Sequence, residues 1–209
     1  MIKSDFLALV RIKLYEKSTA VTKFWEDADI YALADEELRS LPAKNIYLEE
    51  IQKTTVTDDK EYGLPSGTFK VESVEYNNGT TTKPDWIPVV GGWDTFANTL
   101  TFTSAFSTGS EVRIKIKKSF TPLSTLATGD ALDISDYQIE ALVTGTVLRA
   151  YSALMGYFVD LQNWDYNAKP DGISYPQVQV WTREIKNEYL DVVRNVKKTP
   201  LPRFINLTD

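Results

Sequence analysis

Two groups of closely spaced carboxylates are the side chains of this sequence with the clearest capacity for acid–base or cation chemistry. Asp130, Asp133 and Asp136 follow one another at intervals of three residues, a spacing that could hold a cation or form an acid/base pair. They also surround the predicted start of a long helix, where negative charge is stabilising. We therefore favour a structural role for these three residues over a catalytic or metal-binding one.

The second group, Asp58, Asp59 and Glu61, lies at a predicted hairpin turn. A calcium loop needs more oxygen ligands and usually a glycine in register, so a solvated turn is the better interpretation. An enzyme with paired carboxylates, such as a glycosidase, is disfavoured because the carboxylates cluster at turns and helix starts. We expect no catalytic residues, no metal and no cofactor.

The chain contains neither histidine nor cysteine. Histidine is the usual general base and a common metal ligand, and cysteine provides disulfides and thiolate metal sites. The sequence also lacks the phosphate-loop motif, the Gly-x-Ser-x-Gly motif and the His-Glu-x-x-His motif. The sequence therefore lacks several residue types and motifs that enzymes commonly use for catalysis.

One long stretch, residues 137–159, carries only two charged side chains, Glu140 and Arg149. Its apolar residues recur at steps of three and four, which predicts an α-helix. A surface helix of a single domain buries one stripe and exposes the rest to water, whereas this helix has almost no polar face. We expect other helices of the chain and other subunits to cover it, so assembly is the first hypothesis for function.

Small residues on this helix would allow a neighbouring helix to approach closely. Glycine inside a helix costs up to about 1 kcal/mol relative to alanine, which implies a packing reason for Gly145 and Gly156. The predicted subunit-interface residues of this helix are Ala141, Gly145, Leu148, Ser152 and Gly156.

A basic stripe, Arg113, Lys115 and Lys117, alternates with apolar residues along one predicted strand. It could touch DNA, or it could pair with acidic groups of a neighbouring subunit such as Glu72 and Glu75. The net charge is −6, which argues against a broad nucleic-acid-binding surface. We favour charge pairing across a repeated interface and count the stripe among the predicted subunit contacts.

Several aromatic residues lie in or near the predicted strands, and exposed tryptophan or tyrosine can stack on sugars. In a small β domain such residues more often fill the core, which is the interpretation we favour, with subunit contacts as a further possibility. A carbohydrate- or receptor-binding β module on a helical stalk is the alternative function. The aromatic residues concerned are Tyr76, Trp86, Trp93, Phe96, Phe102 and Phe106.

The predicted elements are two helices, a β module and two further helices. Five short strands with turn signals between them predict a small antiparallel sandwich or barrel. The fold class is therefore α+β, a helical bundle interrupted by a β insertion. Helices are predicted at 5–17, 25–41, 135–162 and 174–198, and strands at 46–57, 67–76, 86–90, 99–103 and 111–118. The predicted domain ranges are 1–44, 45–120 and 121–198, followed by a terminal segment at 199–209.

This last segment, 199–209, contains two prolines that prevent a helix. It is either disordered or an extended arm that adds to a partner. We favour an arm, because its apolar side chains would be unusual in a segment that is only solvated. The residues predicted to contact a partner or neighbour are Leu201, Pro202, Arg203, Phe204 and Ile205.

The N-terminal segment does not match a signal peptide, because Lys13, Glu16 and Lys17 interrupt its apolar run. No window approaches the roughly 18 uninterrupted apolar residues that a membrane-spanning helix requires. We expect a soluble protein with no membrane partner.

Three segments of the chain resemble the head-to-tail adaptor, or connector, proteins of tailed bacteriophages. The first is the short N-terminal helix followed by FWEDADI at 24–30. The second is YGLPS at 62–66, which leads into FKVESV at 69–74. The third is LDISDY at 132–137, which continues through Leu142 and 148–151 into a long, weakly charged helix.

The resemblance covers about residues 1–165 and implies both a fold and a function. The implied fold is a helical bundle interrupted by a β domain, arranged as a ring of about twelve subunits under the portal vertex. The implied partners are other copies of the chain, the portal protein, a tail or nozzle protein, and genomic DNA passing without sequence-specific binding. The implied location is the neck of the virion, with assembly in the host cytoplasm. The loop at 77–92 and the segment after 199 depart from the family pattern.

Overall fold

The computed structural model describes residues 1–17, 25–55, 60–103, 110–164 and 174–198. The chain divides into two compact units. The helical unit combines Met1–Ile46 with the chain from Thr121 onward, and the β unit comprises Tyr47–Phe120. The predicted α+β class, with a β insertion between N-terminal and C-terminal helices, is confirmed. The insertion begins two residues later than the predicted boundary at 45.

Four α-helices make up the described part of the helical unit. They are α1 (Lys3–Lys17), α2 (Asp27–Ser40), α3 (Asp136–Trp164) and α4 (Tyr175–Lys198). Helix α3 packs against all three of the others, and α1 also packs against α2. Each neighbour buries a stripe of apolar residues at helical spacing, as the sequence periodicity predicts. The buried stripes include Phe6, Val10 and Leu14 of α1, Ile30, Ala34 and Leu38 of α2, and Val178, Ile185, Tyr189 and Val192 of α4.

The helix ends follow local chemistry. Helix α2 begins with a capping box. The side chain of Glu26 accepts a hydrogen bond from the backbone N–H of Asp29, and the side chain of Asp29 accepts one from the backbone N–H of Glu26. Pro42 follows its end and starts a short 3₁₀ helix, Pro42–Lys44. Helix α1 begins at Lys3 rather than at the predicted residue 5. Ile2, just before it, forms an antiparallel bridge with Ala131, and the backbone N–H of Lys3 donates to the carbonyl of Asp130 at 3.0 Å.

The described part of the β unit contains two antiparallel sheets. The four-stranded sheet has the order β1-β7-β3-β4, and the three-stranded sheet has the order β2-β6-β5. The pairing of β1 with β7 brings the two ends of the unit together, because Leu48 lies opposite Lys118. The strands are β1 (Leu48–Thr55), β2 (Glu61–Gly63), β3 (Thr68–Asn77), β4 (Trp86–Pro88), β5 (Trp93–Phe96), β6 (Thr99–Phe102) and β7 (Glu111–Lys118).

Both sheets contribute to one hydrophobic core, so the unit is a small sandwich. The buried residues of this core are Val71, Val74, Leu100, Phe102, Val112, Ile114 and Ile116. The last three alternate along β7 with the basic stripe, as predicted from the sequence. Strands β2 and β5 were not predicted. The β5–β6 turn is formed by Ala97 and Asn98, both in the left-handed region, with φ of 47° and 63°.

Candidate assembly surface

One stretch of α3, residues 141–147, is covered by the protein's own helices. All residues from 141 to 147 are buried within the folded chain. Ala141 has no exposed surface, and Gly145 faces a side chain of α2. The prediction that Ala141 and Gly145 lie at a subunit interface is therefore corrected, because one copy already buries both residues.

The packing reason for Gly145 is the buried carboxylate of Glu37 on α2. A Cβ atom built at Gly145 would lie 2.6 Å from the carboxylate carbon of Glu37 and 2.8 Å from its Oε1. No side chain larger than hydrogen fits there without displacing Glu37. Glycine at this position thus lets α3 approach α2 at the point where α2 carries a buried charge.

Glu37 is the centre of a polar network that joins three helices. Lys44 donates from Nζ to Oε1 of Glu37 at 2.8 Å, and Arg149 on α3 donates from Nε to Oε2 at 2.8 Å. Tyr189 on α4 donates its phenolic O–H to Oε1. Two cations and a hydroxyl therefore satisfy one buried carboxylate, as a charge in a protein interior requires.

The environment of Tyr189 changes its acidity. Burial and the hydrogen bond to Glu37 raise the pKa of the Tyr189 phenol well above its ordinary value. The phenol therefore stays protonated and remains a donor. This network explains why the single arginine in the apolar part of α3, Arg149, is present: it balances a charge on another helix.

The second half of α3 differs, because part of its surface is open. Ser152, Ala153, Gly156 and Tyr157 are exposed, and Leu148 is half-buried. A Cβ at Gly156 would meet nothing within 4 Å. Three of the five predicted interface residues on this helix, Leu148, Ser152 and Gly156, thus keep exposed or half-buried surface in one copy, and their place at a subunit interface stays a prediction.

The basic stripe on β7 is neutralised inside the same chain. Arg113 pairs with Glu75. Lys115 lies 3.4 Å from Glu49 and 3.2 Å from Glu72, and Lys117 also pairs with Glu72. The predicted acidic partners Glu72 and Glu75 are therefore the right residues, but they belong to the same copy. The charges of the stripe are thus balanced within one copy, and a contact of Arg113, Lys115 and Lys117 with a neighbouring subunit stays a prediction.

These ion pairs shift the acidity of their members. Burial alone would raise the pKa of Glu72, but hydrogen bonds and attraction from Lys117 and Lys115 lower it below its usual value. Burial would lower the pKa of Lys115 and Lys117, but their acidic partners raise it overall. Each partner thus favours the charged form of the others, and the stripe presents little net positive charge to a nucleic acid.

The aromatic residues of the β unit fall into three groups. Phe102 is buried, and Trp93 packs against the core and donates its indole N–H to the carbonyl of Val89 at 3.3 Å. The guanidinium of Arg113 lies 4.7 Å from the ring centre of Trp86. Phe96 is 84% exposed beside the β5–β6 turn, and Phe106 lies outside the described residues. A face of Trp86 is therefore already occupied, which weakens the case for a sugar-stacking platform.

Other apolar side chains on the surface were not singled out from the sequence. Helix α1 buries one apolar stripe and exposes Leu9 (38%) and Ile12 (53%) on another side. The available signal was the presence of apolar residues around both sides of this short helix, which a single buried stripe does not need. On α4, Val180 and Leu190 are exposed, and in the β unit Val90 is 95% exposed.

The candidate carboxylates have structural roles. Asp133 accepts hydrogen bonds from the backbone N–H and hydroxyl of Thr121, and Asp130 accepts one from the backbone N–H of Ala127. Asp136 lies in the first turn of α3, as predicted. Within the described ranges, no cluster of acidic side chains has a geometry suited to holding a metal ion. Asp58 and Asp59 lie outside the described residues.

Asp35 is a buried carboxylate that the sequence analysis did not identify. It accepts hydrogen bonds from the backbone N–H groups of Leu123 and Ser124, at the start of the short 3₁₀ helix Leu123–Thr125. This contact fixes the chain where it returns to the helical unit. Sequence spacing could not reveal it, because the partners are 88 and 89 positions apart.

Two further predictions concern the terminal arm and the absence of a membrane-spanning helix. The predicted arm residues, from Leu201 to Ile205, lie outside the described part of the structure. Among the described helices, none combines the length and the apolar character needed to cross a membrane.

No protein-family model matches the sequence, and no curated protein matches it.

Proposed function

We propose that this protein is a virion structural protein, a head-to-tail adaptor that forms a ring beneath the portal vertex of a tailed bacteriophage. In this role it extends the DNA channel and joins the capsid to the tail. The observation that carries the proposal is the distribution of apolar surface. The helical unit has a well-packed interior, yet it exposes apolar side chains such as Leu9 and Ile12, which the described residues of the same copy leave open to solvent.

Two surfaces of the helical unit suit contacts between adjacent copies. One is the exposed stripe of α1, with Leu9 and Ile12. The other is the second half of α3, where Ser152 and Gly156 are small and exposed. Small residues let another helix approach closely, and the apolar stripe supplies area to bury. A head-to-tail contact of this kind, repeated about an axis, closes into a ring.

The β unit suits contact with a portal or tail component. Phe96 stands beside a turn whose two residues, Ala97 and Asn98, adopt left-handed conformations. A non-glycine residue in the left-handed region carries a cost in free energy. The turn that bears this cost lies next to Phe96, whose large apolar side chain is exposed to solvent. We expect this turn to insert into a partner, and we expect the arm, residues 201–205, to reach the portal or a neighbouring subunit.

The charge balance suits a channel through which DNA passes without binding. Each copy carries a net charge of −6, and the basic stripe is paired with acidic side chains of its own chain. A ring of such copies repels the phosphate backbone by the same electrostatics through which basic surfaces hold it. Double-stranded DNA should therefore bind weakly or not at all at physiological salt.

The decisive experiment measures the mass of the full chain with and without the portal ring encoded by the same genome. We expect a discrete complex that contains a fixed number of adaptor copies on each portal ring. A monomeric adaptor without the portal is compatible with the proposal, because the portal can template the ring. Absence of any complex over a wide range of concentrations contradicts it.

A pair of variants links the complex to the proposed surface. The double variant Leu9→Ser/Ile12→Ser changes the exposed stripe of α1 and should abolish the complex while the helical circular dichroism is retained. Gln179→Ser changes an exposed polar residue of α4 and should leave the complex intact. Equal binding by both variants would show that the α1 stripe is not an interface.

A further inference from the structure

The loop between β3 and β4 contains the dipeptide Asn78-Gly79, whose two residues are both exposed. In such a dipeptide the backbone nitrogen of glycine can reach the side-chain carbonyl carbon of asparagine, because glycine has no Cβ to obstruct the approach. Asn78-Gly79 is therefore a chemically competent site for deamidation. Whether the reaction occurs depends on how the fold holds the glycine nitrogen.

The reaction is a cyclisation followed by hydrolysis. The backbone nitrogen of Gly79 loses its proton and forms a bond to Cγ of Asn78, and the side-chain nitrogen leaves as ammonia. A water molecule then opens the five-membered imide at either of its two carbonyls. The products are aspartate or isoaspartate at position 78, and each adds one negative charge to the loop.

The side chain of Asn77 holds the backbone N–H of Gly79, whose nitrogen must attack Asn78. Its Oδ1 accepts a hydrogen bond from the backbone N–H of Gly79 at 2.9 Å and a second from the backbone N–H of Asp85 at 2.9 Å. Its Nδ2 donates to Oε2 of Glu111 on β7 at 2.9 Å, which fixes the side chain to the sheet. The N–H of Asn78 donates to the carbonyl of Asp85 at 2.8 Å.

The backbone around Gly79 is also tightly packed. A Cβ at this position would contact the carbonyl oxygen of Lys83 and would lie 2.8 Å from the backbone nitrogen of Asp85. Only glycine fits there, so the fold both requires a residue that permits cyclisation and restrains its nitrogen. The need for glycine and the restraint on its nitrogen both apply to the Asn78–Gly79 peptide bond.

We infer that Asn78 is a latent deamidation site and that Asn77 sets its rate by retaining the proton of the Gly79 nitrogen. The hydrogen bond to Asn77 must break before Gly79 can attack. A hydrogen bond worth about 1.5 kcal/mol slows the reaction about tenfold. Loss of the Asn77 side chain therefore converts a protected loop into a reactive one.

The test follows conversion at position 78 by mass spectrometry of the full chain after incubation in mildly alkaline buffer. The folded wild type should deamidate at least about tenfold more slowly than the same chain in urea, and Asn77→Ala should recover about tenfold in the folded state. Thr82→Ala is the matched control. It removes the contact between the hydroxyls of Thr80 and Thr82 in the same loop and should leave the rate unchanged.

Three outcomes with the wild type and the first two variants would overturn the inference. The first is equal rates for the folded and the urea-unfolded wild type. The second is an unchanged rate in folded Asn77→Ala. The third is an equal acceleration by Thr82→Ala, which would assign protection to general loop order. If Asn77→Ala does not fold, Glu111→Ala decides the question, since it releases the other end of the Asn77 side chain and should give a smaller acceleration. An unchanged rate there would also overturn the inference.

Discussion

The carboxylate of Glu37 lies against the backbone of Gly145, and the space between these two residues does not admit a Cβ atom. Glu37 is on α2 and Gly145 is on α3, so this contact sets how closely the two helices approach. It also places the carboxylate beside Arg149, one turn further along α3. The contact gives a direct way to separate intramolecular packing from assembly.

Gly145→Ala should destabilise the protein, because its new methyl group displaces the Glu37 carboxylate. We expect the free energy of unfolding to fall by about 1–3 kcal/mol, the usual cost of overpacking. Gly156→Ala is the matched control on the same helix. It meets open space and should stabilise by up to about 1 kcal/mol. Urea unfolding measures both, and effects of the same sign would contradict the assignment.

Glu37→Ala should cost much more than Glu36→Ala, although both glutamates pair with Arg149. Glu37 is buried and holds two cations and a phenol, so we expect a loss of about 2–4 kcal/mol. Glu36 is largely exposed, and its removal should change stability by less than about 1 kcal/mol. Chemical denaturation of the two variants at neutral pH makes the comparison. Similar losses of stability in the two variants would show that the hydrogen bonds and ion pairs around Glu37 are not the main source of its contribution to stability.

Tyr189→Phe should make the protein less sensitive to alkali. The folded state raises the pKa of this phenol, so above the unfolded value of about 10 the unfolded chain releases a proton that the folded chain keeps. The stabilisation is therefore complete below about pH 10 and is lost as the pH rises above it. Urea midpoints between about pH 8 and pH 11 should fall less steeply in the variant. Parallel slopes would contradict the prediction.

Glu72→Gln should weaken the β unit modestly and reduce its sensitivity to acid. The pKa of Glu72 is lowered in the folded state, so its contribution is present above the unfolded value of about 4.3 and is lost as the pH falls through the folded value. We expect a cost of about 1 kcal/mol at neutral pH. Thermal unfolding across the acidic range measures this, with the exposed Glu61→Gln as control. An unchanged acid profile for Glu72→Gln would contradict the assigned ion pairs of Glu72 with Lys115 and Lys117.

Trp93→Ala should distinguish a core residue from a ligand-binding one. Trp93 packs against the core of the β unit, so its truncation should cost about 2–4 kcal/mol. Phe96→Ala changes a side chain that is 84% exposed and should alter stability by less than about 0.5 kcal/mol. A fully stable Trp93→Ala protein that loses affinity for a polysaccharide would support the alternative of a carbohydrate-binding module.

Periodicity was enough to predict the long elements. Helix α3 and strand β7 show clear spacing over many residues, and the structure places both within two residues of the predicted ends. Strands β2 and β5 span only three and four residues, too few for alternation to stand out. The β5–β6 turn was also not predicted, because Ala97-Asn98 lacks the glycine that usually marks such a hairpin.

The candidate site was predictable in part. Gly145 was recognised as a residue with a packing reason, because glycine is costly inside a helix. The partner could not be inferred, since Glu37 is more than a hundred positions away and only the fold brings it near. For the same reason the sequence suggested Glu72 and Glu75 as partners of the basic stripe but could not show that they pair with it within one copy.

The pairing of Leu48 with Lys118 makes the chain enter and leave the β unit at adjacent positions. An insertion with neighbouring ends can be exchanged or excised with little disturbance to its host, because a short linker spans the gap. Replacing residues 47–120 with a brief glycine–serine bridge should therefore leave the helices able to fold. The helical scaffold and its inserted module are then free to diverge separately, so that new attachments could evolve without redesign of the frame that carries them.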